Sequence, residues 1–270
     1  MSRRVPDAVH VPPVQRIRLR YAKRGRLRFT SHRDFARAFE RSLRRAEIPV
    51  AYSAGFHPHP KISYVGAAPT GVGSEAEYLE IALAERRDPD QVAAALDAVL
   101  PPGLDIVQAV DAEDCPPGSL AEAIQASEWR LEIAGNPDEL AAAVEQFLAA
   151  EQVLVERLTK DGRREIDARG AVLSASVRPA DEDGSVASEG PTGGRPEVSG
   201  GGAEPARAIM TAVVRQVTPT VRPDDVLAAL RSVAGFAPLE PVRATRLAQG
   251  PVDEAGGVTD PLRRKELSTR

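Results

Sequence analysis

The chain has 270 residues with 35 Lys and Arg, 39 Asp and Glu and one cysteine, so its formal net charge is −4. The single cysteine, Cys115, excludes an internal disulfide, a cysteine-based zinc site and an iron–sulfur cluster. No apolar run approaches the ~20 residues of a membrane-spanning helix, and the N-terminus lacks the apolar stretch of a signal peptide. Composition therefore predicts a soluble, cytoplasmic protein with one large domain or two of ordinary size.

The first part of the chain predicts elements in the order βαββαβ over residues 16–110, after a disordered N-terminus at residues 1–14. Strict alternation of apolar and charged residues at 16–21 predicts a half-buried strand. Ser31 and Asp34 have the spacing of a capping box, which predicts the start of a helix. The apolar face of this helix comprises Phe35, Phe39, Leu43 and Ala46. The remaining elements are strands at 61–65, 76–84 and 104–110 and a helix from residue 89.

The second part repeats this order in a more elaborate form, over residues 127–248 after a linker at 111–126. Within it, residues 180–206 hold 7 Gly and 3 Pro in 27 positions, without Leu, Ile or an aromatic residue. So little apolar surface does not offset the entropy of ordering, which predicts a flexible insertion and, on similar grounds, a disordered tail at 249–270. The predicted fold class is α+β, with two tandem ferredoxin-like βαββαβ units, the second elaborated.

The net charge conceals an asymmetry along the chain. Residues 1–61 hold 15 Lys and Arg against 4 Asp and Glu, whereas residues 62–270 hold 20 against 35. The basic residues fall on one strand face, one turn and one helix face. They are Arg16, Arg18 and Arg20; Lys23, Arg24, Arg26 and Arg28; and Arg33, Arg37, Arg41, Arg44 and Arg45. Such clusters suit a phosphate backbone, and the alternative is a set of solvated charged faces.

A second candidate site is the loop at residues 55–61, where Gly55 permits a positive φ and two prolines favour an extended chain. Residues two apart then face the same side, so His57, His59 and Lys61 suit phosphate or nucleobase binding. The alternative is a rigid loop whose histidines form local hydrogen bonds. Seven of the 11 Phe, Tyr and Trp residues lie between residues 21 and 64. The candidates for base stacking are Tyr52, Phe56 and Tyr64.

Histidine chemistry is a different interpretation of the same region. His32, His57 and His59 would supply three metal ligands, or His32 or His57 would act as an acid or base beside Asp34 or Glu77. No spacing pattern fixes either arrangement. Ser31 is better explained as a helix cap than as a nucleophile, since the sequence places no base beside it.

The second unit contributes one candidate, a basic hairpin tip that carries Lys160 and Arg163. Many hairpin tips are merely solvated, which is the alternative here. The sequence has no phosphate-binding P-loop and no CxxxCxxC motif, so no cofactor is predicted.

Five segments of the sequence carry a resemblance to a known family. They are residues 29–34 (FTSHRD), 44–53 (RRAEIPVAYS), 55–63 (GFHPHPKIS), 71–79 (GVGSEAEYL), and 159–163 with 166–167 (TKDGR and ID). The chain resembles the radical-SAM-linked family over residues 16–178 and 207–247. That domain of unknown function occurs alone, notably in actinobacteria, or fused to the C-terminus of B12-binding-type radical SAM proteins. At Arg33 and Glu80 the sequence departs from the family pattern, in which an aliphatic residue and Asp are usual.

The resemblance implies a partner rather than a reaction. The fusion implies work beside a radical SAM enzyme, and standalone members whose genes neighbour ribonuclease E/G and ribosomal proteins imply RNA metabolism. We therefore expect a non-enzymatic accessory protein that binds RNA or a ribonucleoprotein and acts with a radical SAM or RNA-processing enzyme. An enzyme subunit that uses the His32, His57 and His59 cluster, and a protein-docking module, are the alternatives.

Overall fold

A computed structural model of the protein describes residues 12–54, 56–159, 162–180 and 206–264. Within these ranges the chain forms ten β-strands and five α-helices, which confirms the α+β class. The described residues divide into two compact units, one from the ranges 1–126 and 246–270 and the other from the range 127–245. Most of the predicted N-terminal disorder and of the predicted insertion, residues 1–11 and 181–205, lies outside the described residues.

The first unit follows the predicted order of elements. They are β1 (Gln15–Lys23), a 3₁₀ helix (Gly25–Phe29), α1 (His32–Arg45), β2 (Ile62–Val65), β3 (Gly73–Leu83), α2 (Pro89–Asp97), β4 (Leu104–Asp111) and α3 (Leu120–Ala123). β1 pairs antiparallel with β4 on one side and with β3 on the other, and β2 pairs antiparallel with β3. Each of the two long helices therefore connects strands that lie on either side of a third: α1 joins β1 to β2 across β3, and α2 joins β3 to β4 across β1.

Local sequence explains why these elements begin where they do. The Ser31 side chain caps α1 by accepting a hydrogen bond from the Asp34 backbone N–H at 3.2 Å. Asp88 caps α2 in the same way, with Pro89 at the first helical position. Helical periodicity then places Phe35 and Phe39 in the core, which they share with the apolar residues of β1 and β3.

The other side of this sheet is covered by segments that composition alone predicted to be a linker and a disordered tail. Cys115, Leu120 and Ile124 from the expected linker are buried there. Leu262 from the expected tail is 0% exposed and belongs to the same cluster. Described residues of both segments thus pack against this sheet face, because a few apolar side chains at irregular spacing are enough to cover it.

The second unit contains the remaining elements. They are β5 (Ala126–Ala134), α4 (Pro137–Ala149), β6 (Leu154–Thr159), β7 (Gly162–Asp167), β8 (Val172–Pro179), β9 (Arg207–Arg215), α5 (Pro223–Ala234) and β10 (Arg243–Gly250), which passes into the first unit at Arg246. β9 lies between β5 and β8, while β6 and β7 form a separate hairpin. Arg157 of β6 holds this hairpin to α5 through an ion pair with Asp225.

Candidate functional site

The most basic helix in the first unit is α1, whose buried side carries Phe35, Phe39 and Leu43. Its opposite side carries five exposed arginines, which we call the arginine helix face. They are Arg33, Arg37, Arg41, Arg44 and Arg45. In the part of the chain that the structure describes, none of the five forms an ion pair or a side-chain hydrogen bond. Their guanidinium donors are therefore available to an external anion.

A groove lies beside this face, between α1 and the end of α2. Its volume is about 580 Å³, and its lining includes Arg41, Arg45, Ser42, Leu100 and Pro101. The Ser42 hydroxyl donates a hydrogen bond to the Ala38 carbonyl oxygen at 3.1 Å, so it is already occupied. The lining of the groove thus combines two available guanidinium groups with apolar side chains.

The arginines on the predicted basic face of β1 differ from those of α1, because they have partners within the protein. Arg16 Nη1 and Arg18 Nε donate to the two carboxylate oxygens of Glu80 at 2.7 and 3.1 Å. Arg18 also donates to the Gly118 carbonyl oxygen, and Arg20 donates to the Glu75 carbonyl oxygen. Because Arg18 is directly opposite Glu80 in the register of β1 and β3, the strand pairing itself brings acid and base together. These donors are therefore engaged within the protein, so the structure adds no support for phosphate binding by this face.

The four basic residues of the turn after β1 also fall into two groups, those that are paired or buried and those that remain near the surface. Arg24 forms ion pairs with Glu75 and Asp105, and the hydrogen bonds to Glu75 raise its pKa. Lys23 is buried at 5% exposure, whereas Arg26 is exposed. Arg28 lies over the Phe29 ring, with its guanidinium carbon 4.7 Å from the ring centroid. Only Arg26 and Arg28 of the four predicted cations therefore remain near the surface without an acidic partner among the described residues.

The predicted loop at 55–61 is closed by backbone bonds, and Gly55 itself lies outside the described residues. Tyr52 and Pro60 form an isolated β-bridge, and Ser53 N–H donates to the His59 carbonyl oxygen at 2.8 Å. The His59 N–H returns a bond to Ser53 Oγ at 3.0 Å. These contacts hold the base of the loop.

The side chains of residues 56–59 in this loop are exposed. His57 and His59 are exposed, and Lys61 is half-buried at the loop's base. Phe56 is 96% exposed, with its ring perpendicular to that of His57 at a centroid distance of 5.3 Å. The loop thus presents the two imidazoles and an aromatic ring to solvent.

The histidine alternative gains no geometric support. His32 begins α1, and its ring meets the Tyr64 ring edge-on at 5.0 Å. No group of three His, Cys, Asp or Glu side chains in the described ranges is close enough to bind one metal ion, so His32, His57 and His59 are not brought together. Asp34 accepts from the Ser31 hydroxyl at 2.7 Å, which leaves it in its capping role.

The three stacking candidates also differ from one another. Tyr52 is 42% exposed. Tyr64 is half-buried against His32 and Phe35, and its hydroxyl has no hydrogen-bond partner among the described residues. Burial, with the nearby Glu40 carboxylate, raises the pKa of Tyr64. Tyr64 is therefore a packing residue, and Tyr52 and Phe56 remain.

Phe29 was missed by the sequence reasoning. It is 58% exposed and already pairs with the Arg28 guanidinium. The 3₁₀ helix that carries it lacks the period of 3.6 on which the prediction relied, so only its place within a run of arginines would have marked it.

The hairpin tip in the second unit is less informative. Lys160 lies outside the described residues. Arg163 is exposed, and its Nη1 donates to Glu156 Oε2 across the hairpin at 3.2 Å. A pair so exposed contributes little stability and leaves the guanidinium accessible, so Arg163 stays a candidate without added support.

A buried polar cluster in the first unit was not predicted. Glu77 of β3 is 2% exposed; one carboxylate oxygen accepts from Arg246 Nη2, and the other accepts from the Ala68 N–H at 2.9 Å. Lys23 Nζ donates to the Ala68 carbonyl oxygen at 3.3 Å. Burial lowers the pKa of Lys23, Glu77 opposes that shift and Arg246 adds to it. Glu77 is thus a structural counter-ion rather than an accessible acid.

The same cluster fixes the last residues of β10. The Gln249 side chain donates from Nε2 to the Ala76 carbonyl oxygen at 2.5 Å. Gly66 has φ +57°, and a Cβ there would lie 2.7 Å from Gln249 Oε1. Any other residue at this position would be strained by the positive φ and would displace the Gln249 side chain.

The fold and these surfaces define an α+β protein with one unneutralised arginine face and a nearby loop that exposes an aromatic ring. The chain belongs to the family described as uncharacterized protein conserved in bacteria (DUF2344), whose model matches residues 16–223. That description indicates no activity. No curated protein matches the chain at significant similarity. None of the described helices combines the length with the apolar character that a bilayer-spanning segment needs.

Proposed function

We propose that the protein is an accessory factor that binds RNA or a ribonucleoprotein, with the arginine helix face as its phosphate-binding surface. One observation carries this proposal: the five arginines of α1 have no acidic partner among the described residues, while the neighbouring arginines of β1 do. Unneutralised like charges repel one another, so five such arginines on one face favour the binding of a polyanionic ligand.

RNA is the polyanion that the family resemblance favours, because the resemblance implies a role in RNA metabolism. The same proposal includes a partner enzyme that carries out the reaction, either a radical SAM or an RNA-processing enzyme. The chain itself would supply binding and orientation, and no catalytic role is assigned to its residues.

The proposed scaffold is a pair of ferredoxin-like units. The first unit supports this through its βαββαβ order and through the pairing of β1 with β3 and β4. In the second, the β6–β7 hairpin between α4 and β8 is the elaboration. Such a scaffold places α1 and α2 on one side of the sheet, which makes the arginine helix face an outer surface.

Salt titration tests the proposal. The affinity of the full chain for a fluorescent single-stranded RNA is measured by anisotropy from about 50 to about 200 mM salt. Each phosphate contact contributes about 0.7 to the negative slope of log K against log salt, so five engaged arginines predict a slope near −3.5. Absence of binding, or an affinity independent of salt, contradicts the proposal. Capture of a protein partner that survives ribonuclease treatment would instead favour the docking module.

A further inference from the structure

The exposed aromatic side chains of the protein are confined to its basic segment. All 11 Phe, Tyr and Trp residues lie within the described ranges, and three of them are exposed: Phe29, Tyr52 and Phe56. The other eight are buried or half-buried in the two units. An exposed aromatic ring is common on any surface, but the confinement of all three to residues 1–61, where the free cations lie, is specific.

Phe56 is the most prominent of the three. Its side chain is 96% exposed, and it follows the Tyr52–Pro60 bridge, where the Ser53 N–H bonds to the His59 carbonyl oxygen and the His59 N–H bonds to Ser53 Oγ. The His57 ring stands perpendicular to it at 5.3 Å. The exposed ring therefore offers its π-face to a planar ligand.

A short stretch of chain links the end of α1 to the base of this loop. Only residues 46–49 separate the end of α1 from Val50, which bridges to Leu83 of β3. Arg44 and Arg45 occupy the last turn of α1, and the Lys61 N–H bonds to the Ala51 carbonyl oxygen at the loop's base. An aromatic platform beside positive charge suits a ligand with both phosphates and free bases.

We propose that this loop binds single-stranded nucleic acid by stacking an unpaired base on Phe56, with flanking phosphates on the end of the arginine helix face. The inference rests on the proposed function and narrows its ligand from RNA in general to an unpaired stretch. Bases inside a duplex are stacked on their neighbours and have no free face, whereas every unpaired base offers one. Phe29, beneath the Arg28 guanidinium, is a second exposed platform of the same kind.

The test compares a labelled single strand with a blunt duplex of equal length, at equal salt, by anisotropy. The wild-type chain should bind the single strand more tightly. Phe56→Ala should weaken single-strand binding by roughly 5- to 100-fold, the range for loss of one stacked base, and leave duplex binding unchanged. Phe56→Trp should retain the affinity, since a larger π-face replaces the ring. The matched control is Leu239→Ala, which removes another exposed apolar side chain, 70% exposed, in the second unit.

Three results overturn the inference. If Phe56→Ala leaves single-strand affinity unchanged while the salt slope persists, stacking is wrong and the proposed function stands. If the wild-type chain binds neither nucleic acid, both fail together. If Phe56→Ala abolishes binding to vesicles of phosphatidylcholine and phosphatidylglycerol without affecting the single strand, the loop recognises a lipid surface instead.

Discussion

The arginines of β1 and those of α1 belong to one basic segment, yet the fold places them in opposite electrostatic surroundings. Arg16 and Arg18 meet Glu80, whereas the five arginines of α1 meet no acid among the described residues. A central strand has paired strands on both sides that can carry a counter-ion. The outer side of α1 has no such paired strand, and Asp34 and Glu40 of α1 itself form no ion pair with the five arginines among the described residues. Local charge density therefore does not identify a binding surface until the neighbours are known.

The largest expected effect concerns the most buried pair. Glu77→Gln leaves Arg246 and Lys23 buried without a carboxylate, so we expect the free energy of unfolding to fall by ~3–5 kcal/mol. Urea denaturation of the full chain measures this. Glu85→Gln, which disrupts an exposed pair with Arg87, is the control and should change stability by less than ~0.5 kcal/mol. Equal effects of the two substitutions would contradict the structural role of Glu77.

Removal of the acid that neutralises β1 should have a smaller effect. Glu80→Gln takes the carboxylate from Arg18, which is 6% exposed, and from Arg16, which is half exposed. We expect a loss of ~2 kcal/mol, because one buried charge-assisted bond is weakened while Arg16 regains water. A double-mutant cycle with Arg18→Gln measures the coupling. A coupling energy indistinguishable from zero would show that Glu80 does not neutralise this face.

Tyr64→Phe should change stability by less than ~1 kcal/mol at neutral pH, since it removes a buried hydroxyl that has no partner among the described residues. Its effect should appear at alkaline pH. The raised pKa of Tyr64 means that the unfolded chain ionises first, so stability is lost as pH rises above about 10. Unfolding curves at increasing pH should show a shallower alkaline loss in Tyr64→Phe than in the wild type. An identical loss in both would be inconsistent with a raised pKa.

The smallest effect is expected on the arginine helix face. Arg37 is exposed and unpaired in the described structure, so Arg37→Gln should alter the free energy of unfolding by no more than ~0.5 kcal/mol. The comparison is Arg18→Gln, which removes hydrogen bonds to Glu80 and to Gly118 and should be clearly destabilising. Thermal melts of the two variants measure the difference. A stability loss in Arg37→Gln as large as that in Arg18→Gln would erase the contrast between the faces.

The sequence alone predicts the elements whose structure depends on residues close together in the chain. The Ser31 cap and the spacing of Phe35 and Phe39 place α1 and its outward face correctly, because helical periodicity is a local property. The alternation at 16–21 similarly places β1. Such patterns also locate the loop that carries Phe56, whose prolines and histidines are contiguous in the chain.

The sequence alone does not predict contacts between residues that are far apart in the chain. Arg18 and Glu80 are 62 positions apart, and only the strand register makes them partners. Leu262 covers a sheet face from within a segment whose composition resembles a disordered tail. Glu77 gains its counter-ion from Arg246, 169 positions away, which no local pattern predicts.

The central claim is that the arginine helix face, rather than overall charge, binds RNA. Two triple variants with the same change in net charge test it most directly: Arg33, Arg37 and Arg41 to Gln on α1, and Arg164, Arg215 and Arg231 to Gln, all exposed, in the second unit. Salt-dependent anisotropy should show that the α1 variant reduces the magnitude of the slope by about 2, with a large loss of affinity, while the second-unit variant resembles the wild type. Equal losses in the two variants, or no loss in the α1 variant, would contradict the account.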